Sequence, residues 1–254
     1  MMSDPRILVV ENDPTDDVRR LGDWLTGAGA ELVIVRPHAG DSLPSGFDGV
    51  GGLVVLGGAQ DAYVADGVPG APWFAELSEL LRAAVAAGLP TLGVCLGGQL
   101  LAQAMGGRVE PSEHGPVIGP RLVAKRDTAE SDPLFGPVPF TPDVLHWHSD
   151  EITVLPPGAV LLATSSAVPN QAFRVGSRAW GLQFHIECDT AMIAAWAADD
   201  AATLDALGIA PGTVVERCEA VMDDVEDAWR PFAERFAALV RGTIGSMYLP
   251  VIEA

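Results

Sequence analysis

The sequence predicts an α/β fold: a mostly parallel sheet flanked by helices, followed by a C-terminal helical extension. Three observations carry this. Short apolar runs of strand length alternate with segments of helical period between residues 7 and 105. Two of those runs end in glycine-rich turns, "LGG" and "GVCLGG". Beyond Glu187 the chain becomes alanine-rich and acidic, with apolar residues in steps of three and four.

Ile7 to Val10, Leu32 to Val35 and Leu53 to Leu56 read as strands, with a helix over Val18 to Thr26 between the first two. From Trp73 to Ala87, Leu77, Leu80, Leu81 and Ala84 recur at helical spacing. Leu89 to Val94 is again a strand, and Gln99 to Met105 opens a helix with Leu100, Leu101 and Ala104 on one side. Such alternation implies a parallel sheet covered on both faces, with ligands at the carboxyl ends of its strands. From Pro111 to Pro142, Pro and Gly are frequent, and the short runs Leu122 to Ala124, Val160 to Thr164 and Ala172 to Val175 suggest hairpins. "RAWGLQFHIE" alternates apolar and polar residues as a strand does. Met192, Ile193, Trp196, Leu204 and Leu207 suggest one amphipathic helix ending near Gly208. A second is expected from about Val214 to Val240, kinked or divided by Pro231. Its apolar stripe, with Trp229, Phe232 and Phe236, reads as core packing, and a partner or homodimer surface is the other reading.

The 254 residues suffice for a full core. Fifteen Lys and Arg stand against 34 Asp and Glu, and the formal charge of -19 argues against nucleic acid and anionic membranes as partners. The N-terminus "MMSDPRILVVEND" lacks the basic flank and apolar stretch of a signal peptide, so a soluble, cytoplasmic protein is expected. The three cysteines, Cys95, Cys188 and Cys218, have no metal-ligand spacing, and neither a disulfide framework nor a zinc site is indicated.

Cys95 sits between glycines where a strand gives way to a helix. Gly93 and Gly97 clear space for a sharp turn that would present an exposed sulfur, and a helix starting there would favour its thiolate. From these residues alone Cys95 is either a nucleophile or small apolar filler. On a strand, His185 and Glu187 would share a face, as a base and its orienter do, or as a surface ion pair does. Cys188 would then face away from them. His146 and His148 could share a strand face, but no third ligand is placed near them, so a metal is not expected. His146 reads equally as filler.

Together, "VVLGG", "GVCLGGQLLA" and "GLQFHIE", in that order, resemble a class I glutamine amidotransferase domain of the type found beside guanosine monophosphate synthetase. The likeness runs over most of Ile7 to Glu187 and implies a flavodoxin-like amidotransferase core. By position it implies Cys95 as nucleophile, His185 as base and Glu187 as orienter. It further implies that Gln99 helps hold glutamine, that the N–H groups of Gly58 and Leu96 form an oxyanion hole, and that His148, Ser149 and Asp150 line the glutamine pocket. Ile186 stands where proline is frequent and Gly98 where alanine is usual; both changes leave the reacting groups in place.

The expected organisation is an amidotransferase domain over residues 1–188 and a helical extension, packed on or beside it, over 189–254. No P-loop sequence or second α/β domain is visible after position 188, so a free-standing glutaminase is expected, needing no cofactor and passing ammonia to a separate synthase or acceptor protein. Two alternatives stand beside it. One is a stand-alone γ-glutamyl amide hydrolase; the other is a non-catalytic regulatory subunit of the same fold, which the complete Cys95, His185 and Glu187 set disfavours.

Overall fold

The computed structural model describes residues 5–65 and 67–244. The first four residues of the N-terminal stretch and residues 245–254 of the expected extension lie outside the described residues. The first apolar run forms Arg6–Val10 (β1), which pairs in parallel with Glu31–Val35 (β2) on one side and Gly52–Val55 (β3) on the other. A small hairpin of Val64–Ala65 (β4) and Val68–Pro69 (β5) precedes Thr91–Val94 (β6), which pairs in parallel with β3. The proline- and glycine-rich middle of the chain forms Arg108–Pro111 (β7), Val117–Leu122 (β8), Ala124–Lys125 (β9), Asp143–His148 (β10) and Asp150–Val154 (β11). Of these, β8 pairs with β10 and β7 with β11, both antiparallel. Val160–Thr164 (β12), Ala172–Val175 (β13) and Ala179–Leu182 (β14) complete the set.

The main sheet has the order β2-β1-β3-β6-β14-β13-β12-β9. It is parallel from β2 to β14 and antiparallel beyond, which makes β6 central and flanks its carboxyl end with β3 and β14. Alternation along the strands divides the core. Leu8, Val10, Leu53 and Val55 pack toward the helices Phe74–Ala87 (α2) and Leu96–Ala104 (α3), whereas Ile7, Val9 and Val54 join Leu21 and Leu25 of Arg19–Gly27 (α1). Both faces are therefore covered, as buried parallel strands require.

The C-terminal region departs from its predicted outline. One expected helix is two, Thr190–Asp199 (α4) and Ala201–Ala206 (α5), broken at Asp200, whose carboxylate accepts a 2.6 Å hydrogen bond from Trp147 Nε1. The next is also two, Pro211–Glu219 (α6) and Met222–Arg241 (α7). The break falls at Val221, which leaves the helical region at φ -110°, and not at Pro231, which lies inside α7. The missing amide and ring clash of Pro231 cost about 3 kcal/mol. Burial of Trp229, Phe232 and Phe236 outweighs that, since these side chains enter the same buried cluster as the β1 and β3 residues facing α1. No described helix is long and apolar enough to cross a membrane.

Candidate active site

Cys95 stands at the carboxyl end of β6 with φ 49° and ψ -110°, a backbone conformation that side-chain-bearing residues rarely adopt. The neighbouring glycines permit it. A Cβ at Gly97 would lie 2.0 Å from the Val55 carbonyl oxygen, and one at Gly93 would lie 2.4 Å from that of Gly97. The helix α3 begins at Leu96, earlier than its apolar period suggested, so its N-terminal amides follow Cys95 directly. The sulfur is not exposed as the sequence suggested. Cys95 is 5% accessible, 4.0 Å from the Trp147 carbonyl, and opens on a cavity of about 290 Å³.

His185 lines the same cavity. The strand expected to carry it ends at Leu182, and His185 is held by a single antiparallel bridge, its amide donating to Leu145 O at 2.8 Å. The pairing with Glu187 is nonetheless direct: Nδ1 bonds Oε1 at 2.6 Å, and both side chains are buried. Burial opposes charge on His185, but the Glu187 carboxylate and the Cys95 sulfur hold its pKa well above the usual value. Nε2 of His185 is buried without a hydrogen-bond partner among the described residues. Because the strand ends early, Cys188 does not face away as strand geometry required. Its sulfur lies within 4.8 Å of ligand-capable atoms of His185 and Glu187, and burial pushes its pKa upward. His185 Nδ1 is already committed to Glu187, so this cluster does not resemble a vacant metal site.

Gly58, Leu96, Gln99, His148 and Ser149 all line the cavity. The Gly58 and Leu96 N–H groups have no acceptor among the described residues. Gln99 Nε2 donates to the Asp150 carbonyl at 3.2 Å, and His148 Nδ1 bonds the same oxygen at 2.9 Å. A carbonyl only accepts, so His148 carries its proton on Nδ1. Its pKa is lowered to about 4, chiefly by burial, so the ring is neutral and Nε2 accepts from His146 Nδ1 at 3.0 Å. The two histidines thus form a hydrogen-bonded chain that ends on the Asp150 carbonyl at the start of β11, contacts that sequence reading did not foresee for His146.

Sequence reading missed the other wall. Asp16, Trp147, Trp196, Asp199 and Asp200 also line the cavity. The Trp196 ring lies 4.8 Å from His185 and 5.6 Å from Trp147, and its Nε1 donates to Thr15 O at 3.2 Å. The available signal for Asp16 was its place just beyond the carboxyl end of β1, the edge where ligands bind in such sheets. Nothing in the pattern of α4 distinguishes Trp196 from a core residue.

Residues 25–192 match the family model of glutamine amidotransferase class-I. The chain is 36% identical over 139 residues to a glutamine-hydrolyzing GMP synthase of Thermomicrobium roseum, covering 54% of this chain and 23% of that protein. It therefore spans only a minor part of the length of such relatives. To the glutamine amidotransferase-like protein YfeJ of Salmonella typhimurium it is 31% identical over 166 residues, covering 65% of this chain and 68% of the other. The crystal structure of a glutamine amidotransferase from Thermotoga maritima superposes with a TM-score of 0.80 at 26% identity, covering 92% of this chain and 98% of that one. A glutamine amidotransferase from Methylobacillus flagellatus gives 0.78 at 26% identity over 99% of both chains.

Proposed function

The chain belongs to the class-I glutamine amidotransferase family, and we propose that it hydrolyses the side-chain amide of glutamine through a Cys95 thioester, releasing ammonia for a separate acceptor. The observation that carries this reading is the convergence, in one cavity, of Cys95 on its strained turn and the free Nε2 of His185, whose other nitrogen is held by Glu187.

The steps follow from the groups present. The raised pKa of His185 favours its imidazolium form, and the Cys95 sulfur, its proton passed to His185, attacks the γ-carbonyl carbon. The tetrahedral oxyanion is received by the N–H groups of Gly58 and Leu96, the second at the positive end of α3. Nε2 of His185 gives its proton to the amide nitrogen, the carbon–nitrogen bond breaks, and ammonia leaves. Water, losing a proton to the same nitrogen, then attacks the thioester and releases glutamate with regeneration of the thiolate. Gln99 and the Ser149–Asp150 loop hold the α-amino acid end. Glu187 keeps Nδ1 protonated so that Nε2 remains the reacting atom.

An electrophilic glutamine analogue such as 6-diazo-5-oxonorleucine tests the assignment. Adduct on Cys95 alone, with glutamate release abolished in Cys95→Ala, is expected; burial raises the Cys218 pKa to about 11 and that of Cys188 further still, which keeps both as unreactive thiols. Adduct on Cys188 or Cys218, or undiminished turnover by Cys95→Ala, would overturn it.

A further inference from the structure

The cavity is lined by five aspartates, Asp16, Asp61, Asp150, Asp199 and Asp200, and by no lysine or arginine among the described residues. They fall into two groups. Asp61 and Asp150 sit by Gln99, with Asp150 Oδ1 accepting from Tyr63 OH at 3.2 Å and the Asp150 carbonyl accepting from Gln99. That side suits the single ammonium of a glutamyl group. Asp16 stands by His185, and Asp200 accepts from Trp147, whose ring packs on that of Trp196. A Cβ at Gly57 would lie 2.7 Å from Asp16 Oδ1 and 3.2 Å from His185 Cε1, so the Asp16 carboxylate and the imidazole converge on one point. Asp199 and Asp200 follow Trp196 by three and four residues on α4 and at its end, which brings them to the same face.

A second observation separates Asp16 from a merely acidic surface. It is 6% accessible, lines the cavity, and accepts no hydrogen bond from any described residue. Burial still disfavours its charge in spite of the nearby His185, a cost that a bound cation would offset. Trp147 and Trp196 line the same cavity, and indole rings favour a neighbouring cation. Glutamine itself brings nothing to this wall, because its departing nitrogen ends at the amide.

We propose that the site accepts γ-glutamyl amides whose amine carries a second, cationic nitrogen, and that Asp16, with Asp199 and Asp200, receives that nitrogen against Trp196. This rests on the cysteine amidase reading above and names its substrate class. The departing nitrogen must lie at His185 Nε2 to take its proton, so a substituent on it is directed toward the Asp16 wall. The balance is that of amide hydrolysis: the γ-carbon to nitrogen bond breaks, the thioester forms and is opened by water, and the products are glutamate and the free diamine.

Three amides distinguish the outcomes: glutamine, mono-γ-glutamyl putrescine and γ-glutamyl n-butylamide, the same four-carbon chain without the terminal nitrogen, with glutamate and amine both quantified. The putrescine conjugate is expected to exceed the butylamide in kcat/KM by on the order of tenfold or more, the effect of one charge-assisted contact. Asp16→Asn should lower kcat/KM on the putrescine conjugate by several-fold more than on the butylamide, with unchanged circular dichroism. Equal rates on the two conjugates, refusal of both with glutamine still hydrolysed, or equal loss on both in Asp16→Asn would overturn the inference and leave the cysteine chemistry standing. No glutamate from any of the three, with the protein folded, would instead overturn the amidase reading.

Discussion

Nδ1 of His185 and Oε1 of Glu187 lie 2.6 Å apart, and the other oxygen of Glu187 accepts the Ile186 N–H at 2.9 Å. Both carboxylate oxygens are therefore fixed as acceptors in a buried site. This makes Glu187→Gln a sharper test than its similar shape suggests. The Ile186 N–H selects the amide oxygen, which turns the NH₂ toward Nδ1 and favours the tautomer with the proton on Nε2. We expect a loss of about 10²–10⁴ in glutamate release, the usual span for a misdirected acid–base group. The alkaline limb of the pH–rate profile should also move down, because Glu187 is the largest influence raising the His185 pKa. A variant with near-normal rate and an unmoved limb would show that Glu187 does not orient His185.

Asp16 permits a prediction on stability. Burial is the main reason its pKa is raised to about 7, with Glu187, Asp13 and Asp17 adding to the rise and His185 opposing it. The unfolded carboxyl titrates near 3.8, so between that value and about 7 the folded state binds a proton that the unfolded state has lost. The contribution of Asp16 to stability is thus greatest below the lower value and declines as pH rises through the window. Asp16→Asn removes the penalty. The variant should melt higher than the parent at pH 8, by about 2–4 °C for each kcal/mol recovered, and the gain should shrink toward pH 5. An equal or lower melting temperature at pH 8 would mean that the carboxylate is compensated in a way its surroundings do not reveal.

The parallel sheet was legible because its strands are buried on both faces and read as unbroken apolar runs, Ile7 to Val10 and Leu53 to Leu56 among them. The turn at Cys95 was legible through Gly93 and Gly97, which only a close backbone approach requires. Alternation misled in "RAWGLQFHIE". It continues through His185 although β14 ends at Leu182 and only an isolated bridge to Leu145 holds His185, and the error put Cys188 on the wrong side. Tertiary contacts account for what was missed. Asp200 breaks α4 from α5 while bonded to Trp147, 53 positions away, and Trp196 reaches His185 only once α4 folds back over the cavity. Pro231 did not divide the last helix, because the burial of Trp229, Phe232 and Phe236 holds α7 together across it.

The His146–His148 chain should appear in the acid limb of stability. Burial lowers the pKa of His148 to about 4, with its Asp150 bond opposing and His185 assisting, and it lowers that of His146 well below normal. Between about 6.5 and 4 the unfolded histidines bind protons that the folded ones do not, so the contribution of this pair to stability falls as pH drops through that window. His185 acts in the opposite sense, since its raised folded pKa contributes stability that is full below its unfolded value and is lost only as pH rises through the folded one. In His148→Asn, whose amide can still donate toward Asp150 O, the urea midpoint should fall less steeply between pH 6.5 and 4.5. Parallel slopes in parent and variant would place the acid sensitivity elsewhere.

The division at residue 188 is, we propose, one of sequence pattern and not of independent folding. Trp229, Phe232 and Phe236 of α7 are fully buried with Phe135 and Phe184, and Trp229 Nε1 donates to Asp143 O at 2.9 Å, at the start of β10. Arg20 of α1 reaches the Met222 carbonyl and the Glu226 carboxylate, tying the first helix to the last. Burial of those three aromatic side chains alone corresponds to roughly 5–9 kcal/mol, against a whole-domain stability of about 5–15 kcal/mol. Removal of α4 would also strip Trp196 from His185. A chain ending at Cys188 is therefore expected to be insoluble or to lack a cooperative thermal transition, and a separately supplied segment of residues 189–254 should restore some of the fold. A truncated chain that melts cooperatively and is labelled at Cys95 by the diazo analogue would establish residues 1–188 as a self-sufficient domain and reduce the extension to a cover on its outer face.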